Sequence, residues 1–362
     1  MNKTTPYLGV IEGFFGRTWS FAERFDYAHF LKDNGYQFYI YAPKADSFLR
    51  RNWQQDWSAE TTDQLQHLVM HYQSLGLDFG LGLSPFEIYK NYNADAKQSL
   101  QDKVKRLNQL GINILCLLFD DMRGDQPDLA KTQIQITLDV LSQTTANKVI
   151  MCPTYYSFAP KLEKVFGAMP ENYFQDLGNG LPSKVDIFWT GPEICSQEYP
   201  QAHMEEVIQL LGRKPFLWDN YPVNDGADIS RFLFLKAFED RPYTLEKLTS
   251  GHAVNPMNQP WLSRIPLYSL PRSYSQGQDY NPDAILHEAL QQLVCNEQRE
   301  EGLARQIESD IDNFQIHGLD KMNRKKRNHL IQAYNHFKNP YAKEIVDWLN
   351  DEYAFDPDCL TG

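Results

Sequence analysis

Residues 112–121 read INILCLLFDD, eight residues that are apolar almost throughout and then two adjacent carboxylates. A half-buried antiparallel strand alternates apolar with polar side chains, whereas a parallel strand covered on both faces need not. Ile112 to Phe119 therefore reads as a buried parallel strand, with Asp120 and Asp121 at its C-terminal exit.

Working outward, similar runs recur. Strands are predicted at Tyr7 to Glu12, Gln37 to Ala42 and Asp78 to Leu83 before it, and at Lys148 to Cys152, Val185 to Trp189, Phe216 to Trp218 and Gly251 to Val254 after it. Between them lie amphipathic stretches at helical spacing: Ser20 to Asn34, Thr62 to Leu75, Ala96 to Leu110, Ala130 to Ser142, a piece near Lys161, and Ala202 to Leu211. Gly35, Gly76 and Gly111 follow three of these, where a helix C-terminus favours glycine. Eight strands alternating with helices over about 270 residues predict an α/β fold, a (β/α)8 barrel rather than an open doubly wound sheet.

From Asn281 the pattern is helical only, over Pro282 to Val294, Glu297 to Phe314, Lys325 to His336 and Tyr341 to Glu352. The expected organisation is a catalytic barrel over 1–278 and a small all-helical C-terminal domain over 279–362.

The chain has 362 residues and a formal net charge of −12, with the acidic residues spread rather than gathered in a tail, which argues against a nucleic-acid partner. The one basic run, Arg324 to Arg327, reads as a solvated helix face. The opening MNKTTPYLGV has no apolar core of a signal sequence, and no apolar run reaches the ~18 residues that span a bilayer. A soluble, cytoplasmic protein without a membrane partner is expected, and a homo-oligomer is left open. Cys116, Cys152, Cys195, Cys295 and Cys359 are widely spaced with no CxxC pair, and read as buried small hydrophobes rather than a disulfide or zinc framework. Aromatic content of 13% is more than a core strictly requires and hints at sugar stacking or an apolar cleft, though ordinary core aromatics account for most of it.

Barrel enzymes carry their sites at the C-terminal strand ends, so the polar residues leaving each apolar run are the informative ones. Here they are Glu12 and Gly13, Lys44 and Asp46, Asp120 and Asp121, Thr154 to Tyr156, Asp219 and Asn220, and Asn255. Two carboxylates side by side disfavour each other's ionised form, so their pKa values should split. That suits glycoside hydrolysis, which needs one group held as an acid and one kept charged. Two other readings stay open on the residues alone: Asp120 capping a loop with Asp121 solvated, or an all-oxygen divalent-metal site with Asp46 or Asp219.

The segments GVIEGFFGRTW, YIYAPK, LLFDDM, CPTYY, FWTGPEICS, LWDNYPVND and VNP, in this order, resemble the catalytic domain of glycoside hydrolase family 84, the protein O-GlcNAcases and bacterial β-N-acetylglucosaminidases. The resemblance runs from about Tyr7 to Tyr274. It implies a retaining exo-β-N-acetylglucosaminidase with no cofactor and no metal, acting on a β-GlcNAc glycoside or an O-GlcNAc-modified protein. It assigns Asp120 to orienting the substrate's 2-acetamido group and Asp121 to general acid and then base. The acetamido oxygen is the nucleophile, a route outside the two-carboxylate scheme. It further implies sugar contacts from Gly13, Lys44, Tyr156, Trp218, Asn220, Asp225 and Asn255. Phe15 and Tyr155 depart from the family pattern, standing where relatives often have Tyr and Glu, and bear on leaving-group preference and local water structure. Two competing functions remain: a carbohydrate-binding or scaffold protein without turnover, and an endo-acting hydrolase of acetamido-containing polysaccharide.

Overall fold

The structure is a computed structural model that describes residues 6–120, 122–126, 128–294 and 301–355. Eight parallel strands, β1 (Leu8–Glu12), β2 (Phe38–Tyr41), β3 (Asp78–Leu83), β4 (Ile114–Leu118), β5 (Lys148–Cys152), β6 (Val185–Trp189), β7 (Phe216–Asp219) and β8 (Gly251–Val254), pair in sequence order. The barrel closes through β1 against β8, with Leu8 opposite His252 and Val10 opposite Val254. The predicted (β/α)8 barrel is the observed fold. Every residue of β4 is at most 1% exposed, as a strand covered on both faces requires. Full burial of each Leu or Ile there contributes about 1.5–3 kcal/mol.

The helices are α1 (Phe21–Asp33), α2 (Ala59–Ser74), α3 (Ala94–Asn108), α4 (Leu129–Leu141), α5 (Pro160–Phe166), α6 (Tyr173–Gly180), α7 (Gln201–Leu211), α8 (Pro260–Leu267), α9 (Leu270–Gln276), α10 (Pro282–Ala289), α11 (Glu301–Asp312), α12 (Arg324–Asn335) and α13 (Pro340–Leu349). Local sequence explains their ends. Ser20 and Glu23 form a reciprocal capping box at the start of α1, satisfying two otherwise orphaned N–H groups. Gly35 just past its end has φ +82°, the left-handed region that glycine enters without strain. The sequence missed α6, α8 and α9. The expected helix from Glu297 begins outside the described residues, and α11 is described from Glu301. Of the basic run, Arg324 to Lys326 are exposed, while Arg327 is half-buried against Asp351.

One connection breaks the alternation. Between β7 and β8 the chain forms no α-helix, only a 3-10 turn at Tyr243–Lys247. Its apolar residues Leu233 and Leu235 leave the barrel and enter a second hydrophobic cluster with Ile307, Phe314, Ile345 and Trp348. That cluster also takes Met257, Leu262 and Ile265 from the chain around α8. Backbone bonds pin the strap at Leu233 N to Phe314 O (3.2 Å) and Leu319 N to Arg231 O (2.9 Å). The C-terminal helices also complete α8, whose first-turn N–H groups on Trp261 and Leu262 donate to the Glu344 carboxylate at 3.0 and 2.8 Å.

The cysteine expectation holds in part. Cys116 and Cys152 are buried, but Cys195 is exposed. Its neighbour Ser196 turns inward instead, donating from Oγ to Thr190 O at 2.8 Å. Cys295 and Cys359 lie outside the described residues.

Candidate active site

At the C-terminal ends of the strands lies a cavity of about 160 Å³. That is below the ~300 Å³ at which drug-sized pockets begin, so it suits a small ligand. It is lined by Gly13, Lys44, Asp120, Tyr156, Trp218, Asn220, Asp225 and Asn255, which gathers all the sequence-derived site residues except Asp121, which lies outside the described residues. Phe15, Cys152, Thr190, Ile194, Cys195 and Val223 complete the lining.

The floor on one side is charged. The Lys44 ammonium and the Asp120 carboxylate form a buried ion pair, 5% and 7% exposed, bridging the exits of β2 and β4. The Lys44 Nζ also lies 5.7 Å from the Phe15 ring centroid, within cation–π range.

The opposite wall is a run of amides. Gly13 N, already donating to Ile11 O, donates to Asn255 Oδ1 at 3.2 Å. Asn255 Nδ2 donates to Asn220 Oδ1 at 2.9 Å, and Trp218 Nε1 donates to the same oxygen at 3.0 Å. Asn220 Nδ2 donates in turn to Ile194 O at 2.8 Å. Four strand exits, those of β1, β8, β7 and β6, are thus stitched together. Both lone pairs of Asn220 Oδ1 are spent among the described residues, which leaves Asn220 facing a ligand as a donor only. Asp225 Oδ2 accepts from Phe15 N at 2.9 Å, tying the β7–β8 connection to the loop after β1.

Packing dictates Gly13. A Cβ there would lie 2.4 Å from Trp218 Cζ2, closer than carbon atoms can approach. The Trp218 ring itself is held edge-on to Phe188, centroids 5.1 Å apart.

Several strand-exit polar residues serve the scaffold instead. The Glu12 carboxylate is fully buried, receives a bidentate pair from Arg24 and accepts from Tyr39 Oη. Asp46 accepts from Phe48 N, Tyr41 Oη and Trp57 Nε1. Asp219 is buried against Arg241 and His252. Burial alone would raise the Asp219 pKa, but the adjacent Arg241 and the His252 hydrogen bond hold it well below the usual carboxylate range. Of the two departures, Phe15 lines the cavity, whereas Tyr155 does not: its hydroxyl donates to Gly167 O at 2.7 Å. The missed lining residues Thr190, Ile194 and Cys195 follow β6, whose exit, TGPEIC, puts no charged group directly after the strand. Its Thr-Gly-Pro turn was the available signal.

A closed parallel barrel with a small, tryptophan-walled cavity at its C-terminal face has the arrangement of a barrel enzyme's active site. The sequence profile of the beta-N-acetylglucosaminidase family matches residues 8–306. The chain belongs to that family. It is 27% identical over 315 residues to the Protein O-GlcNAcase of Rattus norvegicus and to that of Mus musculus, matching 84% of this chain and 34% of each relative. The chain thus spans about a third of the length of these curated relatives. Among solved structures it is similar to an O-GlcNAc hydrolase mutant of Thermobaculum terrenum, with a TM-score of 0.76 and 29% identity over 96% of this chain and 81% of that one.

Proposed function

We propose that this chain is a retaining exo-β-N-acetylglucosaminidase that removes terminal β-linked GlcNAc by substrate-assisted catalysis. The observation that carries the reading is the buried Lys44–Asp120 pair set into a sugar-sized cavity, in a chain of this family. In the proposed reaction Asp120 accepts a hydrogen bond from the 2-acetamido N–H and aims its carbonyl oxygen at the anomeric carbon. The carbonyl oxygen bonds to that carbon as its bond to the leaving oxygen breaks and Asp121 protonates the leaving group, giving an oxazolinium ion whose N–H stays hydrogen-bonded to Asp120. Asp121 then takes a proton from water, which opens the ring with the β configuration retained.

The amide wall and Asp225 suit hydroxyl recognition, since the amides offer donors and the carboxylate accepts. The small cavity favours exo action over cutting within a polysaccharide. O-GlcNAc-modified protein as substrate belongs to the same proposal, supported by the two curated relatives being protein O-GlcNAcases, and a cytoplasmic setting is proposed with it.

Hydrolysis of an aryl β-GlcNAc glycoside, followed by anomeric configuration, tests the reading. Asp121→Asn should nearly abolish cleavage of poor leaving groups while sparing an activated aryl glycoside, because a good leaving group needs little protonation. Equal losses on both contradict the assignment. Binding of the sugar without turnover would favour the scaffold alternative, and release of oligomers the endo-acting one.

A further inference from the structure

A buried ion pair outside the cavity, Arg241 with Asp219, lies beside Asn220, Trp218 and Asn255. Asp219, the last residue of β7, sits between Trp218 and Asn220 and is 0% exposed. Its Oδ1 accepts from Arg241 Nη2 (2.9 Å) and Tyr221 N (3.2 Å). Its Oδ2 accepts from Arg241 Nε (3.0 Å) and pairs with His252 Nε2 (3.1 Å), whose other ring nitrogen meets Tyr274 Oη at 2.9 Å.

A guanidinium carries five N–H donors. In Arg241 all five are used: Nε and one Nη2 hydrogen on Asp219, the other Nη2 hydrogen on Ser196 O (3.0 Å), and Nη1 on Gln197 O (2.6 Å) and Glu239 O (2.9 Å). The acceptors lie on three separate segments: the exit of β6, the end of β7, and the β7–β8 connection.

Two of these segments carry Trp218 and Ile194, both partners of the Asn220 amide. Trp218 shares the strand with Asp219, and Ile194 is two residues from Ser196. Asn255 is fixed by its own N–H on Asp219 O at 2.9 Å. Neither Asp219 nor Arg241 lines the cavity.

We propose that Arg241, through Asp219, is a positioning residue for the Asn220–Trp218 wall of the sugar subsite. The inference rests on the reading of that cavity as a GlcNAc site. Lys44 and Asp120 follow other strands, β2 and β4, and pair with each other, so losing Arg241 should weaken sugar binding while leaving the chemical step in place.

The test is Arg241→Ala with chemical rescue. Arg241 also borders two other cavities, of about 200 and about 440 Å³, through which free guanidinium can reach the vacated place. We expect KM for an aryl β-GlcNAc glycoside to rise about tenfold or more with kcat within about threefold, and non-denaturing guanidinium to recover KM in part. Affinity for a sugar-thiazoline, read by calorimetry, should fall in parallel. Arg241→Lys, which keeps the charge but not the fork, should show the raised KM without responding to guanidinium.

A folded Arg241→Ala or Arg241→Lys variant with wild-type KM overturns the proposal, as does a raised KM in Arg241→Ala that guanidinium leaves unchanged. If Arg241→Ala does not fold, Arg241→Lys alone decides. A wild-type protein that neither cleaves the glycoside nor binds the thiazoline counts instead against the function proposed for the cavity, so the two failures are distinguishable.

Discussion

One methyl group is enough to probe the proposed sugar pocket. In Gly13→Ala the new Cβ would sit 2.4 Å from Trp218 Cζ2, so the indole must move. Overpacking of this kind costs about 1–3 kcal/mol, and the displaced wall should raise KM about tenfold. Steady-state kinetics beside urea unfolding will separate the two, and an unchanged KM would show that the pocket does not sense the Trp218 position. The Lys44–Asp120 pair is a second probe. Removing one partner of a buried pair typically costs about 3–5 kcal/mol, whereas replacing both by apolar residues costs far less. Lys44→Met should therefore destabilise by that order, and adding Asp120→Leu should restore much of it in a double-mutant cycle. Additive losses would refute coupling between the two groups. Asp120 was legible because an apolar strand runs straight into it. Glu12 and Asp219 occupy equivalent positions in the sequence, yet Arg24 and Arg241 claim them. Nothing within a few residues of Asp219 announces a guanidinium that arrives from residue 241.

At the scale of elements, the strands were readable from their apolar runs and the barrel from their number, because parallel strands buried on both faces leave little ambiguity. The β7–β8 connection was not. Its turn formers, DNYPVNDGAD over 219–228, mark a loop, but where the loop goes depends on Leu233 and Leu235 meeting side chains from beyond residue 300. Such distant packing leaves no local pattern. Leu235 is 0% exposed in the helical cluster. Leu235→Ala should cost about 2–5 kcal/mol. Because Asp225 lies upstream in the same strap, the variant should also weaken thiazoline binding under conditions where the barrel stays folded. Calorimetry reads the affinity and near-UV circular dichroism the fold; full affinity in a destabilised variant would uncouple the strap from the pocket.

At the scale of the whole molecule, Glu344 joins the C-terminal helices to α8 with a buried carboxyl group. Burial pushes its pKa from 4.5 up to about 8, against the opposing pull of the Leu262 and Trp261 N–H donors. The folded chain therefore holds a proton between those values that the unfolded chain has released. Stability from this group is full below about pH 4.5 and is lost as pH rises through about 8, with a slope of up to about 1.4 kcal/mol per pH unit. Urea unfolding across pH 5 to 8.5 should show this decline, and Glu344→Gln should flatten it. An identical slope in both proteins would remove Glu344 as the source.

The shared cluster of strap and C-terminal helices also sets an order in time. Leu233 and Leu235 emerge from the ribosome with the last third of the chain still unmade, and their partners Phe314, Ile345 and Trp348 follow about 80 to 115 residues later. At about 5–20 residues per second, the barrel's eight strands are all available several seconds before the helices that anchor the strap. The nascent barrel is thus expected to close around an unfinished cleft, with sugar affinity appearing last, when translation delivers α13.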